Sequence, residues 1–436
     1  MSAVTHASSA PLPARIEALR HRPIEATAKG FTVAAARGPV TAAALAERGL
    51  AAPGPGFTLP LLVLKDSALT HNAAAMARWC ADAGVLLAPH GKTTMAPQLF
   101  ARQLAAGAWG ITAATIGQVQ VYRSFGIGRI LLANELTDRA GIAWLAGELS
   151  ADAGWECYAY VDSLAGVRLL GGALRAAGAS RPLPVLVELG FPGGRTGCRE
   201  AGEALAVAAE VQRTTGLALA GVAGYEGGLG ADASPATLTA VAEYCRRLRA
   251  VVSQLPGEGP DGRSWIVSAG GSAYFDVVAA ELTATAAGER SPMVILRSGC
   301  YITHDDGHYA EVGPGTGRGG PELIPALELW AGVLSRPEPA LALAGAGRRD
   351  VSFDQGLPVP LRLRGSDGSQ VPADGITVTR LDDQHAYMSV PSDARVEPGD
   401  LVCLGISHPC TTLDKWRAIP VVDDEDRVID VVHTFF

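Results

Sequence analysis

The chain has 436 residues, of which 48% are hydrophobic and 18% charged, which excludes a disordered protein and leaves a large core to divide between two domains. The net charge is −8 and there is no basic stretch, which excludes a nucleic-acid backbone as the natural partner. No run reaches the roughly 18 apolar residues a membrane helix needs, so no membrane partner is expected.

In chain order, residues 1–56 form an Ala- and Pro-rich extension with one helix expected near 40–49. The opening MSAVTHASSAPLPARIEALR lacks the basic and then apolar regions of a signal peptide. PLLVLKD (60–66) reads as a strand and is followed by the helical ALTHNAAAMARWCADAG; this strand is free to pair with a β-domain further along. Eight apolar runs then recur. They are VLLAPHGK (85–92), WGITAAT (109–115), RILLANEL (129–136), ECYAYVD (156–162), LPVLVELG (183–190), LAGVAGYEG (219–227), SWIVSAGGS (264–272) and MVILRSGCY (293–301). Near-continuous apolar runs mark strands buried on both faces of a parallel sheet. Helical stretches such as 203–216 and 236–255 separate them. Eight such units predict an α/β fold with a (β/α)8 TIM barrel over 57–312; a doubly wound open sheet is the alternative. After the Gly/Pro-rich break GPGTGRGGPE, short β-like runs (LALAGAG, PVPLRLRG, GITVTRL, AYMSV, DLVCLGIS, WRAIPVVDD, RVIDVVHTFF) predict a β-domain over 313–436. Cys80, Cys157, Cys198, Cys245, Cys300, Cys403 and Cys410 are odd in number and show no CxxC, so a reducing cytoplasm is expected rather than a disulfide framework.

Barrel chemistry sits at the C-terminal ends of the strands. The first run ends in PHGKTT, where the two-residue period puts His90 and Lys92 on one side. A lysine in an apolar-walled pocket loses part of its preference for charge, as a Schiff-base lysine requires. The last two runs end in SAGGSAYF and RSGCY. Loops at those positions often hold phosphate; Gly270 and Gly271 let backbone N–H groups approach an anion, and Ser272, Ser298 and Tyr301 add hydroxyls. VELGFPGGRTG places Glu188 and Arg195 near the mouth, and GYEGG places Tyr225 and Glu226 there. Arg195, Arg297, Arg348 and Arg349 are candidates for a substrate carboxylate. In GISHPCTTLDKW, His408 and Cys410 offer imidazole and thiolate one residue apart, a pairing that suits Zn²⁺.

Taken in order, PHGKTT, VELGFPGGRTGCR, AGYEGG, SAGGSAYF, RSGCY and SHPC resemble the fold-type III pyridoxal-phosphate enzymes, in particular the D-serine dehydratase and D-threonine aldolase family with its bacterial amino-acid deaminase branch. The resemblance runs from about residue 57 to the C-terminus. It implies an alanine-racemase-like barrel with a C-terminal β-domain, as a homodimer. It implies a pyridoxal 5'-phosphate Schiff base on Lys92 and a phosphate held around Gly270–Ala273 and Ser298–Tyr301; the cofactor-site role expected for Arg195 and Tyr225 comes from their place at the strand ends, where an aromatic ring often packs against a flat cofactor. It also implies a divalent metal on His408 and Cys410, with zinc favoured by the thiolate and Mn²⁺ or Mg²⁺ as alternatives. The expected substrate is a D-3-hydroxy amino acid. The expected reaction is dehydration, in which Lys92 takes the α-proton; the alternative is aldol cleavage, with His90 as base at the β-hydroxyl. A racemase, for which Tyr387 offers no compelling second base, and a non-catalytic cofactor-binding protein are weaker expectations.

Overall fold

The structure, a computed structural model, describes residues 11–31, 40–259, 262, 264–284 and 291–436. After β1 (Leu61–Lys65), each of the eight apolar runs contains a strand: β2 (Leu86–Leu87), β3 (Ile111–Ala113), β4 (Arg129–Glu135), β5 (Glu156–Val161), β6 (Leu183–Leu189), β7 (Leu217–Gly224), β8 (Ile266–Ala269) and β9 (Met293–Leu296). They lie parallel in the order β2-β9-β8-β7-β6-β5-β4-β3. Backbone bonds join the two ends. Trp109 N–H donates to the Leu87 carbonyl at 2.7 Å, Thr112 N–H donates to the Pro89 carbonyl at 2.9 Å, and His90 bridges Thr112. The fold is therefore the barrel and not the open sheet.

The covering helices begin where the sequence supplies a cap. Thr115, Ser163 and Ser234 each accept a backbone N–H three residues on, and Asp138 accepts two such bonds. The helix Asp66–Asp82 precedes β2 and packs beside the turn after β9. Its buried Asn72 holds that turn by donating to the carbonyls of Ile302 and Ile324 and accepting from Ile324 N–H.

The barrel strands are apolar on both sides, yet their parity is strict where it can be followed. Leu131, Tyr158, Tyr160, Leu186, Ile266 and Ile295 pack inside the barrel. Their neighbours Ile130, Leu132, Cys157, Ala159, Val185, Val187, Val267 and Val294 face the helices. The same parity carries Glu135, Asp162, Glu188, Ser268 and Arg297 inward at the C-terminal ends of β4, β5, β6, β8 and β9. At Gly221 the parity of β7 shifts by one: φ is +149° and an added Cβ would lie 1.9 Å from the Ile266 carbonyl oxygen, so only glycine fits.

The later strands are β10 (Leu327–Glu338), β11 (Leu341–Ala344), β12 (Val359–Arg364), β13 (Gln370–Pro372), β14 (Thr377–Leu381), β15 (Ala386–Ser389), β16 (Leu401–Gly405), β17 (Ala418–Val422) and β18 (Val428–His433). The sequence reading found seven of them and missed β10, the longest, and β13. β1 lies within this second sheet, antiparallel to β10 and parallel to β17. The segment before residue 57, unplaced from sequence, contributes helices Leu12–Arg20 and Ala42–Glu47. Ile24, Phe31, Val40 and Leu45 bury against Trp330, Cys403 and Val431 and cover the outer face of that sheet.

Candidate functional site

One cavity of about 330 Å³ opens between the barrel mouth and the β-domain. Small-molecule and cofactor sites span roughly 300–1,000 Å³. His90, Lys92, Tyr225, Gly271 and Ser272 from the barrel line it, together with His408 and Cys410 from the β-domain; Cys410 Sγ lies 3.4 Å from Thr93 Oγ1, beside Lys92. β2 ends at Leu87, so Lys92 is not on a strand; it projects from a 3-10 turn over Gly91–Thr93. His90 and Lys92 therefore meet the cavity through that turn and not through strand periodicity.

His90 is held neutral. Burial pushes its pKa well below the ordinary value, and the nearby charges of Lys92, Arg297 and Arg195 push the same way. Its Nδ1 is buried without a hydrogen-bond partner among the described residues. The cavity floor is Arg297, 5% exposed, which donates to Ser268 Oγ at 2.8 Å and to the Gly224 carbonyl at 2.5 Å. Tyr225 forms a side wall, and the Arg195 guanidinium lies 4.5 Å over its ring. Arg349 pairs with exposed Asp383, and Arg348 lies over Phe353.

The amides of Gly270 and Gly271 donate to the buried Glu226 carboxylate, at 3.0 and 2.5 Å. An internal anion thus already satisfies them, and a phosphate held by these amides has to displace it. Ser272 Oγ accepts from Cys300 N–H. Ser298 does not line the cavity; its hydroxyl donates to the carbonyls of Gly270 and Gly271. Tyr301 is buried behind and lines a separate cavity of about 360 Å³ with Asp305 and Tyr309. Glycine is required at Gly299, where a Cβ would lie 2.6 Å from the His90 carbonyl oxygen, and a Cβ on Gly271 would press against the Tyr225 ring at 3.2 Å. A lysine amine, an unpaired imidazole nitrogen and backbone walls of this kind fit a flat anionic aldehyde cofactor.

The β-domain wall is positioned by backbone pairing. Asp306 N–H donates to the Ile406 carbonyl at 2.8 Å and His308 N–H to the Ser407 carbonyl at 3.1 Å, which places the loop after β16 over the barrel. His408 Nδ1 lies 2.9 Å from Asp354 Oδ2. Such a carboxylate fixes the ring and leaves Nε2 for a ligand. Burial opposes charge on His408, but Cys410 and Asp354 raise its pKa to about 9. Bonds from the Cys300 thiol and from His408 hold Cys410 well below the ordinary thiol value, against its burial. His408, Cys410 and Cys300 bring their ligand atoms within 4.8 Å of one another. This donor set fits a borderline-soft divalent metal. Sequence reasoning assigned no role to Cys300, Asp354, Thr93, His308 or Tyr309, because nothing local distinguishes them. Ser268 could have been found as a polar residue at inward parity, and Arg297, one of four arginines the sequence offered for a substrate carboxylate, is the one of them that lines this cavity.

Beneath the cavity Glu135 faces Glu188. Burial, then the Glu188 carboxylate, pushes the Glu135 pKa up to about 8. An unfolded glutamate titrates near 4.3. Between about pH 4.3 and 8 the folded state therefore binds the extra proton, and stability falls as pH rises. Glu135→Gln is expected to flatten this slope and to stabilise the protein at pH 8 by at least on the order of 1 kcal/mol. Melting temperatures from pH 5 to 8.5 check it; an unchanged slope would count against the shared proton.

Residues 64–290 match the alanine racemase N-terminal domain, and residues 326–422 match a serine dehydratase-type domain. A D-threonine aldolase of Arthrobacter sp is 28% identical over 387 residues, covering 86% of this chain and 94% of that protein. Among solved structures, D-threonine aldolase from Filomicrobium marinum superposes with a TM-score of 0.72 at 25% identity, covering 87% of this chain and 95% of that one. D-threo-3-hydroxyaspartate dehydratase from Delftia sp. HT23 superposes with a TM-score of 0.68 at 22% identity, covering 87% and 97%. That dehydratase is also solved as a histidine-to-alanine variant and, with the cysteine two positions further on replaced by alanine, in a metal-free form.

Proposed function

The chain belongs to the alanine racemase N-terminal domain family, within the fold-type III pyridoxal-phosphate enzymes of the D-serine dehydratase and D-threonine aldolase type, and from this premise we propose that it is a metal-dependent lyase that removes water from D-3-hydroxy amino acids. The released enamino acid tautomerises to an imine, which water hydrolyses to a 2-oxo acid and ammonia. One observation carries the reading: a lysine amine and a His-x-Cys pair line a single cavity. The dehydratase relative has a histidine and a cysteine at the same spacing, and its cysteine variant is solved in a metal-free form. This parallel favours elimination.

Lys92 is the residue that would hold pyridoxal phosphate. When bound, the cofactor supplies an electron sink for charge developing at Cα. His408 and Cys410 are the residues that would hold a divalent metal, which would supply Lewis acidity toward the β-hydroxyl. With the cofactor bound, Lys92 Nζ would be the group to take the α-proton and deliver it to the departing hydroxyl, which leaves as water. Arg297, tied to Ser268 and Gly224, holds the cavity floor rigid. Tyr225 would present its ring to the cofactor site, with the Arg195 guanidinium stacked on it.

Retro-aldol cleavage is the second reading, favoured by the two aldolase relatives and by His90, whose neutral ring and unpaired Nδ1 suit a base at the β-hydroxyl. Purified enzyme with cofactor, zinc and D-threonine separates the two. We expect 2-oxobutyrate with ammonia. Glycine with acetaldehyde would replace the elimination reading by the aldolase one. No product from D-threonine, D-serine or D-threo-3-hydroxyaspartate would overturn both.

A further inference from the structure

The sequence offers two metal ligands, and the fold brings up a third. We propose that Cys300 is a protein ligand of the same metal, completing a Cys₂His set with one open position. The proposal rests on the reading of His408 and Cys410 as a metal pair and deepens it.

Three observations support it. First, the spacing suits a shared ion. Cys300 Sγ lies 3.5 Å from Cys410 Sγ, and the two sulfurs and a His408 ring nitrogen all fall within 4.8 Å of one another. Two thiolates on tetrahedral zinc, each at about 2.3 Å, lie ~3.8 Å apart. The ligand set is thus nearly closed without any backbone movement. Second, Cys300 is fixed. It is buried, its N–H donates to Ser272 Oγ, and its carbonyl accepts from Thr303 and His304 in the turn after β9. Third, the surroundings are those of a ligand shell. Thr93 Oγ1 lies 3.4 Å from Cys410 Sγ and 3.9 Å from Cys300 Sγ, and Asp354 orients His408. The remaining cysteines are distributed through the two cores.

The chemical consequences follow from the donor set. Two thiolates and one imidazole select zinc over Mn²⁺ or Mg²⁺, which prefer oxygen. Three protein ligands with a fourth position open is the pattern of a catalytic zinc, and the open position is the one available to a substrate oxygen. Two thiolates also cancel the dication's charge. The metal is therefore a milder Lewis acid than one held by His408 and Cys410 alone.

The test is X-ray absorption at the zinc edge of the wild-type holoenzyme, together with zinc affinity and Co²⁺ spectra of Cys300→Ser. Two sulfurs and one imidazole around the metal are expected in the wild type. In Cys300→Ser the thiolate-to-cobalt charge-transfer band should fall to about half, and zinc should bind more weakly by at least the roughly 10–100-fold that loss of a mere supporting group costs. A single sulfur in the wild-type spectrum, or an unchanged cobalt band in the variant, overturns the Cys300 assignment and leaves the His408–Cys410 pair intact. A wild-type enzyme that takes up neither zinc nor cobalt overturns the pair and the third ligand together. The absorption measurement needs no variant, so a folding defect in Cys300→Ser leaves the question decidable.

Discussion

Replacing Lys92 by alanine is expected to lower turnover by on the order of 10⁴-fold or more and to abolish the yellow Schiff-base absorbance. The magnitude follows from the two roles the proposed function gives one amine, since Lys92 would both hold the cofactor and move the α-proton. No other lysine can take its place. Lys29 pairs with Asp350 and the Arg349 carbonyl, and Lys65 with Asp426 and the Asp423 carbonyl. Lys415 bonds the Thr411 carbonyl and Asp414. None of these three lines the cavity that Lys92 enters. Lys92 is exposed to that cavity and sits on a turn, so the truncation leaves no buried partner unpaired and should cost little stability. Borohydride reduction followed by peptide mass mapping checks the assignment. A reduced adduct that persists in Lys92→Ala would sink it.

Cys410→Ala is expected to lose the metal and to reduce turnover by on the order of 10²–10³-fold, while the cofactor stays bound. A Lewis acid on a leaving hydroxyl contributes several kcal/mol to the transition state, and each 1.36 kcal/mol is about tenfold in rate. The cofactor persists because Lys92 lies on the barrel side of the cavity and Cys410 on the β-domain side, in a short helical turn over Cys410–Leu413. The pairing of effects separates the two variants: Lys92→Ala loses colour and rate, Cys410→Ala rate and metal alone. Metal analysis, the absorption spectrum and the rate before and after chelation are the readouts. Full activity in chelated Cys410→Ala would remove the metal from the mechanism.

Much of the barrel was legible because a strand buried on both faces leaves a local mark. Val, Leu and Ala fill both parities of segments such as 183–190 and 217–224, and Gly, Ser, Thr or Asp close each one. β10 escaped although it is the longest strand. Its sequence, LELWAGVLSRPE, mixes buried and exposed positions because it passes from the core sheet into the outer hairpins, so no single period describes it.

The site divides along the same physical line. Tyr225, His408 and Cys410 could be read from short motifs that place them at a strand end or within ligand spacing, and Lys92 from PHGKTT, although it reaches the cavity from a 3-10 turn and not from the strand that the sequence suggested. The sequence by itself determined the barrel strands, the lysine and the His-x-Cys pair. Only the tertiary structure decided that Cys300 stands 3.5 Å from Cys410 across 110 residues, that Asp354 orients His408, and that Glu226 rather than an open nest meets the amides of Gly270 and Gly271. Those contacts join residues far apart in the chain. They depend on the register between the turn after β9 and the loop after β16, which is set by packing over the whole interface and leaves no trace in either segment read alone.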